Sequence, residues 1–213
     1  MFQIKHLKYK DILDINELEL DSARIYCLFG ESGSGKSTLL KMFNGMLTPD
    51  DGEVLFKKEK ITALDPVELR KEVVMLGQDP VVFEGTVRDN FLAGLRFSGK
   101  EEAADQELKT LLKELHLNKD LNDDAGNLSG GEQQRLAFGR VLLMNATVYL
   151  MDEPTSALDE DTEKAVMDYF TEMIKRKGKT VIMVTHSKEI AERYSDRIIY
   201  MDEILSKAGG YHE

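Results

Sequence analysis

A chain of 213 residues is long enough for one large domain with a buried centre that needs no disulfide staples. Its 39 acidic residues outweigh 28 basic ones, giving a formal net charge of −11; because the cations are scattered rather than clustered, a general nucleic-acid surface is disfavoured. The lone Cys27 excludes an intrachain disulfide and a CxxC metal site, and it fits a reducing, cytosolic compartment.

The elements follow in chain order. FQIKHLKY (2–9) and INELELDSARIYCLF (15–29) read as strands, the second ending in an apolar run that places Cys27 in the core. That run leads directly into GESGSGKST. The stretch STLLKMFNGML (37–47) has helical spacing and stops before the TPDDG turn, after which EVLF resumes as a strand. KEVVMLGQ (71–78) predicts another buried strand. EEAADQELKTLLKELHL (101–117) carries Leu108, Leu111, Leu112 and Leu115 on one face and predicts a helix within a mostly helical stretch from about Asp79 to Asn127. LSGGEQQRLAFGRVLL is helical, TVYLMDE and KTVIMVTH are short apolar strands, and EDTEKAVMDYFTEMIKRK between them is a helix. KAGGYHE reads as a frayed tail. The alternation predicts an α/β fold with a parallel sheet, a small N-terminal antiparallel β part and a helical insertion, and the glycine-rich GESGSGKST set between strand and helix makes its core that of a phosphate-loop NTPase. As one domain spanning 1–213, it divides into a core (1–78 and 136–213) and a helical subdomain (about 79–135). No apolar run approaches the roughly 18 residues of a membrane span, and MFQIKHLKYK lacks a secretory apolar region, so membrane contact is expected only through a partner.

Two stretches carry phosphate chemistry. From Gly30 through Glu31, Ser32, Gly33, Ser34, Gly35, Lys36 and Ser37 to Thr38, a glycine-rich loop between an apolar strand and a helix aims backbone N–H groups at phosphate. Lys36 supplies charge for the β- and γ-phosphates, and Ser37 a hydroxyl for Mg²⁺. Asp152, at the tip of a buried strand, suits the Mg²⁺ shell, and Glu153 beside it suits the polarisation of an attacking water. In LSGGE, Ser129 and Glu132 form a capping box that would start any helix. Gly130 and Gly131 behind that cap cost helix stability, which makes sense where a γ-phosphate approaches closely. Two phosphate-facing stretches suggest a nucleotide clamped between subunits.

With these residues the chain resembles the nucleotide-binding subunit of an ATP-binding-cassette (ABC) transporter over nearly its whole length. The likeness rests on the phosphate loop, Gln78 in MLGQDP, LSGGE at Leu128 to Glu132, YLMDEP around Asp152 and Glu153, SALD at Ser156 to Asp159, and His186 in VTHS, all in the family's order. It implies an ATPase using ATP and Mg²⁺. Gln78 is implied to reach the Mg²⁺ and the attacking water while linking insertion to core, and His186 to contact the γ-phosphate; taken alone, such a Gln or His is more often an ordinary polar residue. Tyr9 matches the aromatic that stacks on adenine, although FQIKHLKY equally accommodates an ordinary strand tyrosine. The resemblance further implies a head-to-tail homodimer, in which Ser129, Gly130 and Gly131 of one copy complete the site of the other with Asp159 at the junction. The implied partner is a transmembrane permease, reached through the Asp79–Asn127 region from the cytoplasmic face of the membrane. The alternative is a soluble ABC-type ATPase for cofactor or complex assembly. Departures from the family are Glu132 where Gln is common, Gly139 where a larger residue is usual, and MDEILS without the usual glycine. Asn118, Lys119 and Asp120 approach the guanine-reading NKxD pattern with the acid one position early; they are assigned to a helix terminus, leaving ATP as the expected nucleotide.

Overall fold

The computed structural model describes residues 1–206; KAGGYHE, 207–213, lies outside the described residues. The chain begins with an antiparallel pair, β1 (Phe2–Tyr9) and β2 (Leu13–Leu20), then β3 (Ile25–Phe29) and α1 (Lys36–Phe43). Next come β4 (Asp51–Phe56), β5 (Glu59–Lys60), α2 (Pro66–Glu72) and β6 (Val73–Leu76). The helices α3 (Val87–Ser98), α4 (Asp105–Glu114) and α5 (Gly130–Leu143) lead into β7 (Val148–Asp152). The last elements are α6 (Glu160–Lys177), β8 (Thr180–Val184), α7 (Lys188–Tyr194), β9 (Arg197–Tyr200) and α8 (Met201–Ile204).

Two sheets result: an antiparallel one in the order β2-β1-β4-β5 and a parallel one in the order β6-β7-β8-β3-β9. Strand alternation decides which layer each side chain joins. Val148 and Leu150 of β7, Ile182 and Val184 of β8, and Tyr26 and Leu28 of β3 face a core shared with α1 and the antiparallel sheet. Tyr149 and Met151, Val181 and Met183, and Ile25 and Cys27 face the opposite core with α3, α4, α5 and α6. Both faces of the parallel sheet are thus covered, which is why its strands read as unbroken apolar runs. Burial pushes the Cys27 thiol up to about 12, as a packed core thiol requires.

Five local expectations change. The 15–29 run is two strands in different sheets: the chain turns over Asp21–Arg24, where Ala23 takes a φ of 56° and its N–H donates to Thr180 Oγ1 at 2.9 Å. In KEVVMLGQ, Lys71 and Glu72 close α2, a helix started by Asp65, whose carboxylate accepts from Val67 N–H at 2.8 Å and Glu68 N–H at 3.0 Å. The helix expected over 37–47 ends at Phe43, where Asn44 and a left-handed Gly45 turn the chain. The helix expected over 101–117 is shorter, because Glu102 is drawn to the end of α3 by Arg96 Nε at 2.7 Å and His116, at a φ of 52°, closes the far end. Asn118, Lys119 and Asp120 therefore lie in a loop beyond α4, not at its terminus.

Gly139 has a packing reason. A Cβ there would stand 2.5 Å from Phe91 Cε1 and 2.8 Å from Leu115 Cδ1, and both side chains are fully buried. α3 and the end of α4 thus close onto α5 through this glycine. Overpacking costs about 1–3 kcal/mol, whereas alanine gains roughly 1 kcal/mol over glycine inside a helix. Gly139→Ala is therefore expected to lower the unfolding free energy by about 1 kcal/mol in a denaturant titration; an increase would show that Phe91 and Leu115 yield freely.

Candidate active site

The site is built where β3, β7 and β8 end together. Parallel pairing sets β7 beside β8 with Asp152 opposite Val184, and β8 beside β3 with Val184 opposite Leu28. The loop after β3 and the acids at the end of β7 therefore open on the same edge, the position at which open α/β sheets bind ligands. Gly35 caps α1 with a φ of 89°, and a Cβ on it would come within 2.6 Å of Leu13 Cδ2, so no other residue fits. Lys36 begins α1 and is buried; its ammonium donates to Gly30 O at 2.8 Å and Glu31 O at 2.7 Å, folded into its own loop. Glu31, Ser32 and Gly33 are exposed, Ser34 and Thr38 partly so, and the Ser34 hydroxyl has no hydrogen-bond partner among the described residues.

Ser37 Oγ donates to Asp152 Oδ1 at 2.9 Å. Next along the chain, Glu153 is buried with a φ of 51°, a left-handed backbone for a side-chain-bearing residue. Desolvation raises its carboxyl above the ordinary glutamate range, with His186 pulling the other way. His186 N–H donates to Glu153 Oε2 at 3.4 Å; His186 Nε2 lies 3.4 Å from Oε1, poorly aligned, so Oε1 has no hydrogen-bond partner among the described residues. The rest of the His186 side chain is 60% exposed at the mouth of the site. Gln78 follows β6, which pairs with β7 through Leu76 and Met151, so it stands at the adjacent strand end, exposed. Tyr9 ends β1 half-buried, with the Lys10 ammonium 5.1 Å from its ring centroid; its carbonyl accepts Ile12 N–H at 3.1 Å, closing the turn that sets Ile12 and Leu13 against Gly35.

These residues converge, but the LSGGE stretch stands apart. Ser129 caps α5, and Glu132 returns to Ser129 N–H at 2.8 Å. Among the described residues no hydrogen bond joins Ser129, Gly130 or Gly131 to the Lys36 loop, and nothing lies within 4 Å of where a Cβ on Gly130 would stand. The Glu132 carboxyl is held below its usual range, chiefly by Ser129 N–H, and Lys119 reaches its other oxygen at 3.1 Å. Asp159 caps α6, accepting from Thr162 N–H at 3.0 Å, which lowers its pKa. Sequence reasoning missed Gln134. This buried amide donates to Glu153 O and accepts from Ala157 N–H, both at 2.9 Å; flanked by Gln133 and Arg135, its only signal is a helical spacing that puts it three and four residues before the apolar Ala137 and Phe138.

Two properties of Asp159 can be separated. Asp159→Ala is expected to lower the thermal midpoint by removing the cap of α6, and Asp159→Ser to restore it. If Asp159→Ser also restores turnover fully, capping is the whole role of this residue.

A family model described as ABC transporter matches residues 13–156. The methionine import ATP-binding protein MetN of Clostridioides difficile is 36% identical over 190 residues, 87% of this chain, which spans 59% of that protein's length. The energy-coupling factor transporter ATP-binding protein EcfA2 of Bacillus subtilis is 37% identical over 207 residues, covering 93% of this chain and 75% of that protein. Among solved structures, the dimeric post-hydrolysis state of the ATP-binding cassette MJ0796 bound to ADP and Pi superposes with a TM-score of 0.83 at 31% identity, covering 94% of each chain. The chain belongs to the ABC transporter family, as an ATP-binding cassette that hydrolyses ATP in transport.

Proposed function

We propose that two copies of this chain close head-to-tail on two ATP molecules and pass that movement to a separate transmembrane permease, with hydrolysis resetting the cycle. The observation that carries the reading is the Ser37–Asp152 hydrogen bond of 2.9 Å beside a buried Glu153 with one unpartnered oxygen.

In this reading the N–H groups from Gly30 to Thr38 and the start of α1 hold the phosphates. Lys36 exchanges its two loop carbonyls for β- and γ-phosphate oxygens, which keeps the buried ammonium paired throughout. Ser37 and Asp152 offer two hard oxygen donors already drawn together, the donor set that suits Mg²⁺ when water and phosphate oxygens supply the rest. When bound, the ion neutralises phosphate charge. Glu153 orients the attacking water and accepts its proton; the raised proton affinity that burial gives its carboxyl favours that role. His186, at the open mouth, faces the γ-phosphate, and Gln78 reaches the water and ion from the neighbouring strand end. Tyr9 stacks on the base. Ser129, Gly130 and Gly131 close on the partner's nucleotide, an approach favoured by the open space at Gly130.

A cleft between the core and α3 supports permease docking. Met46, Val81 and Phe97 are 54%, 60% and 74% exposed there, and Phe83 packs under Arg140, whose guanidinium lies 4.7 Å from the ring centroid. Exposed apolar side chains gathered in one cleft mark an interaction surface. No helix among the described residues is long and apolar enough to cross a membrane. In this reading the chain is a peripheral subunit on the cytoplasmic face and reaches the bilayer through its partner.

Glu153→Gln tests the assignment. Turnover is expected to fall by about 10²–10⁴-fold, the usual weight of a general base, while ATP binding persists and light scattering shows the mass of two chains only with ATP. Unchanged turnover would overturn the role of Glu153, and a monomer under saturating ATP would overturn the dimer. Affinity capture of the same variant from detergent-solubilised membranes is expected to recover a polytopic membrane protein in stoichiometric amount; recovery of soluble partners alone would move the assignment to the assembly ATPase.

A further inference from the structure

Gln134 occupies the second turn of α5 and is 2% exposed, with the buried Leu136, Ala137 and Phe138 following it. A buried amide is costly unless its donors and acceptor are used. This one spends its NH₂ on Glu153 O and its Oε1 on Ala157 N–H, each at 2.9 Å. The two bonds span the turn from Glu153 to Ala157, so the side chain closes it as a clip. Ser156 N–H and Oγ also reach Glu153 O, at 3.3 and 3.2 Å, both longer than the bond from Gln134.

Glu153 needs such a hold. Its φ of 51° is unfavourable for a residue with a Cβ, and the Pro154 that follows favours extended backbone at the preceding position. Its N–H is tied to Val184 O in β8 at 3.1 Å, and its C=O to α5 through Gln134. The first turn of α5 sits on the same segment, since a Cβ on Gly131 would stand 2.9 Å from Ala157 O. The glycine end of α5 and the backbone of Glu153 are therefore one mechanical unit.

We propose that Gln134 is a positioning residue that ties the orientation of Glu153 to the place of the α5 N-terminus, so that the nucleotide gripped by Gly130 and Gly131 and the one facing Glu153 of the same chain are sensed together. This rests on the head-to-tail dimer proposed above. A displacement of α5 when its glycine end engages the partner's nucleotide is passed through Gln134 to the carbonyl of Glu153, and hydrolysis in the two sites becomes coupled.

Steady-state ATPase measurements on Gln134→Met and Gln134→Glu test it. Methionine has nearly the same shape and can neither donate nor accept as the amide does; glutamate keeps the acceptor for Ala157 N–H and loses the donor to Glu153 O. We expect a Hill coefficient above one for the wild-type chain; for Gln134→Met we expect kcat to fall about tenfold, KM for ATP to stay within twofold, and the Hill coefficient to drop to one. Gln134→Glu, which preserves half of the clip, carries the same expectation should the methionine variant not fold. A folded variant with wild-type kcat and Hill coefficient would overturn the proposal, as would a parallel loss of kcat and of ATP-dependent dimerisation, the mark of a merely structural role. The dimer itself is read separately, from light scattering of Glu153→Gln with Gln134 intact; a monomer there would refute the dimer, whereas a dimer with Gln134-independent kinetics would refute only the clip.

Discussion

Ser37 and Asp152 lie 115 positions apart in the chain, yet one hydrogen bond of 2.9 Å joins them. The rest of the site depends on that meeting. A phosphate loop alone can hold an anion, and a strand-end acid alone can hold a cation, but neither can bring water to a phosphorus atom. The sheet order solves the problem by inserting only β8 between β7 and β3. Each strand ends within about a residue of its neighbour, because parallel pairing fixes their relative offset and both faces are buried. A slip of one residue would turn Tyr149 and Met151 toward the core now filled by Val148 and Leu150, exchanging every side chain between two differently shaped layers. The candidate site is thus held in place by the packing of the two cores on either side of the sheet.

Within that frame the unfavourable terms gather at Glu153. A left-handed backbone costs of the order of 1–3 kcal/mol, and burial of the carboxyl adds a desolvation penalty that appears as a raised proton affinity. Neither would persist without compensation. The backbone cost is offset by hydrogen bonds to Val184 and from Gln134, and one side-chain oxygen by His186 N–H. The remaining oxygen stays unpartnered. A fully satisfied carboxylate would be more stable and less basic, so stability is given up at the oxygen that the role proposed for Glu153 would use to take a proton.

Local chemistry made much of this legible in the sequence. The phosphate loop, the Ser129–Glu132 capping box and the apolar strands β3, β7 and β8 are each encoded within a few neighbouring residues, and the structure places them where pattern alone predicts. What stayed hidden depends on distant partners. The break between β2 and β3 is set by Thr180 and the late start of α4 by Arg96 drawing on Glu102; α2, by contrast, starts on a local cap, Asp65 before Pro66, and is hard to read only because Leu69 alone of its residues is buried, so no apolar period marks it. Gly139 looked like a departure without a cause until Phe91 and Leu115 came to rest on it. Gln134 was invisible for the same reason, because a polar residue in a helix acquires meaning only when the groups it satisfies are known.

Glu132 shows how a family departure is absorbed. A helix N-terminus attracts anions, so a carboxylate at its third position competes with a phosphate for the same field. Here both oxygens are already committed, one to Ser129 N–H at 2.8 Å and the other to the Lys119 ammonium at 3.1 Å. The charge is neutralised from the loop beyond α4, and the backbone of Gly130 and Gly131 keeps its attraction for an approaching anion. Lys119 belongs to the segment that approaches a guanine-reading pattern in sequence. In the fold it serves a carboxylate, not a base: a short motif names the side chains available, and the loop that carries them decides what they meet.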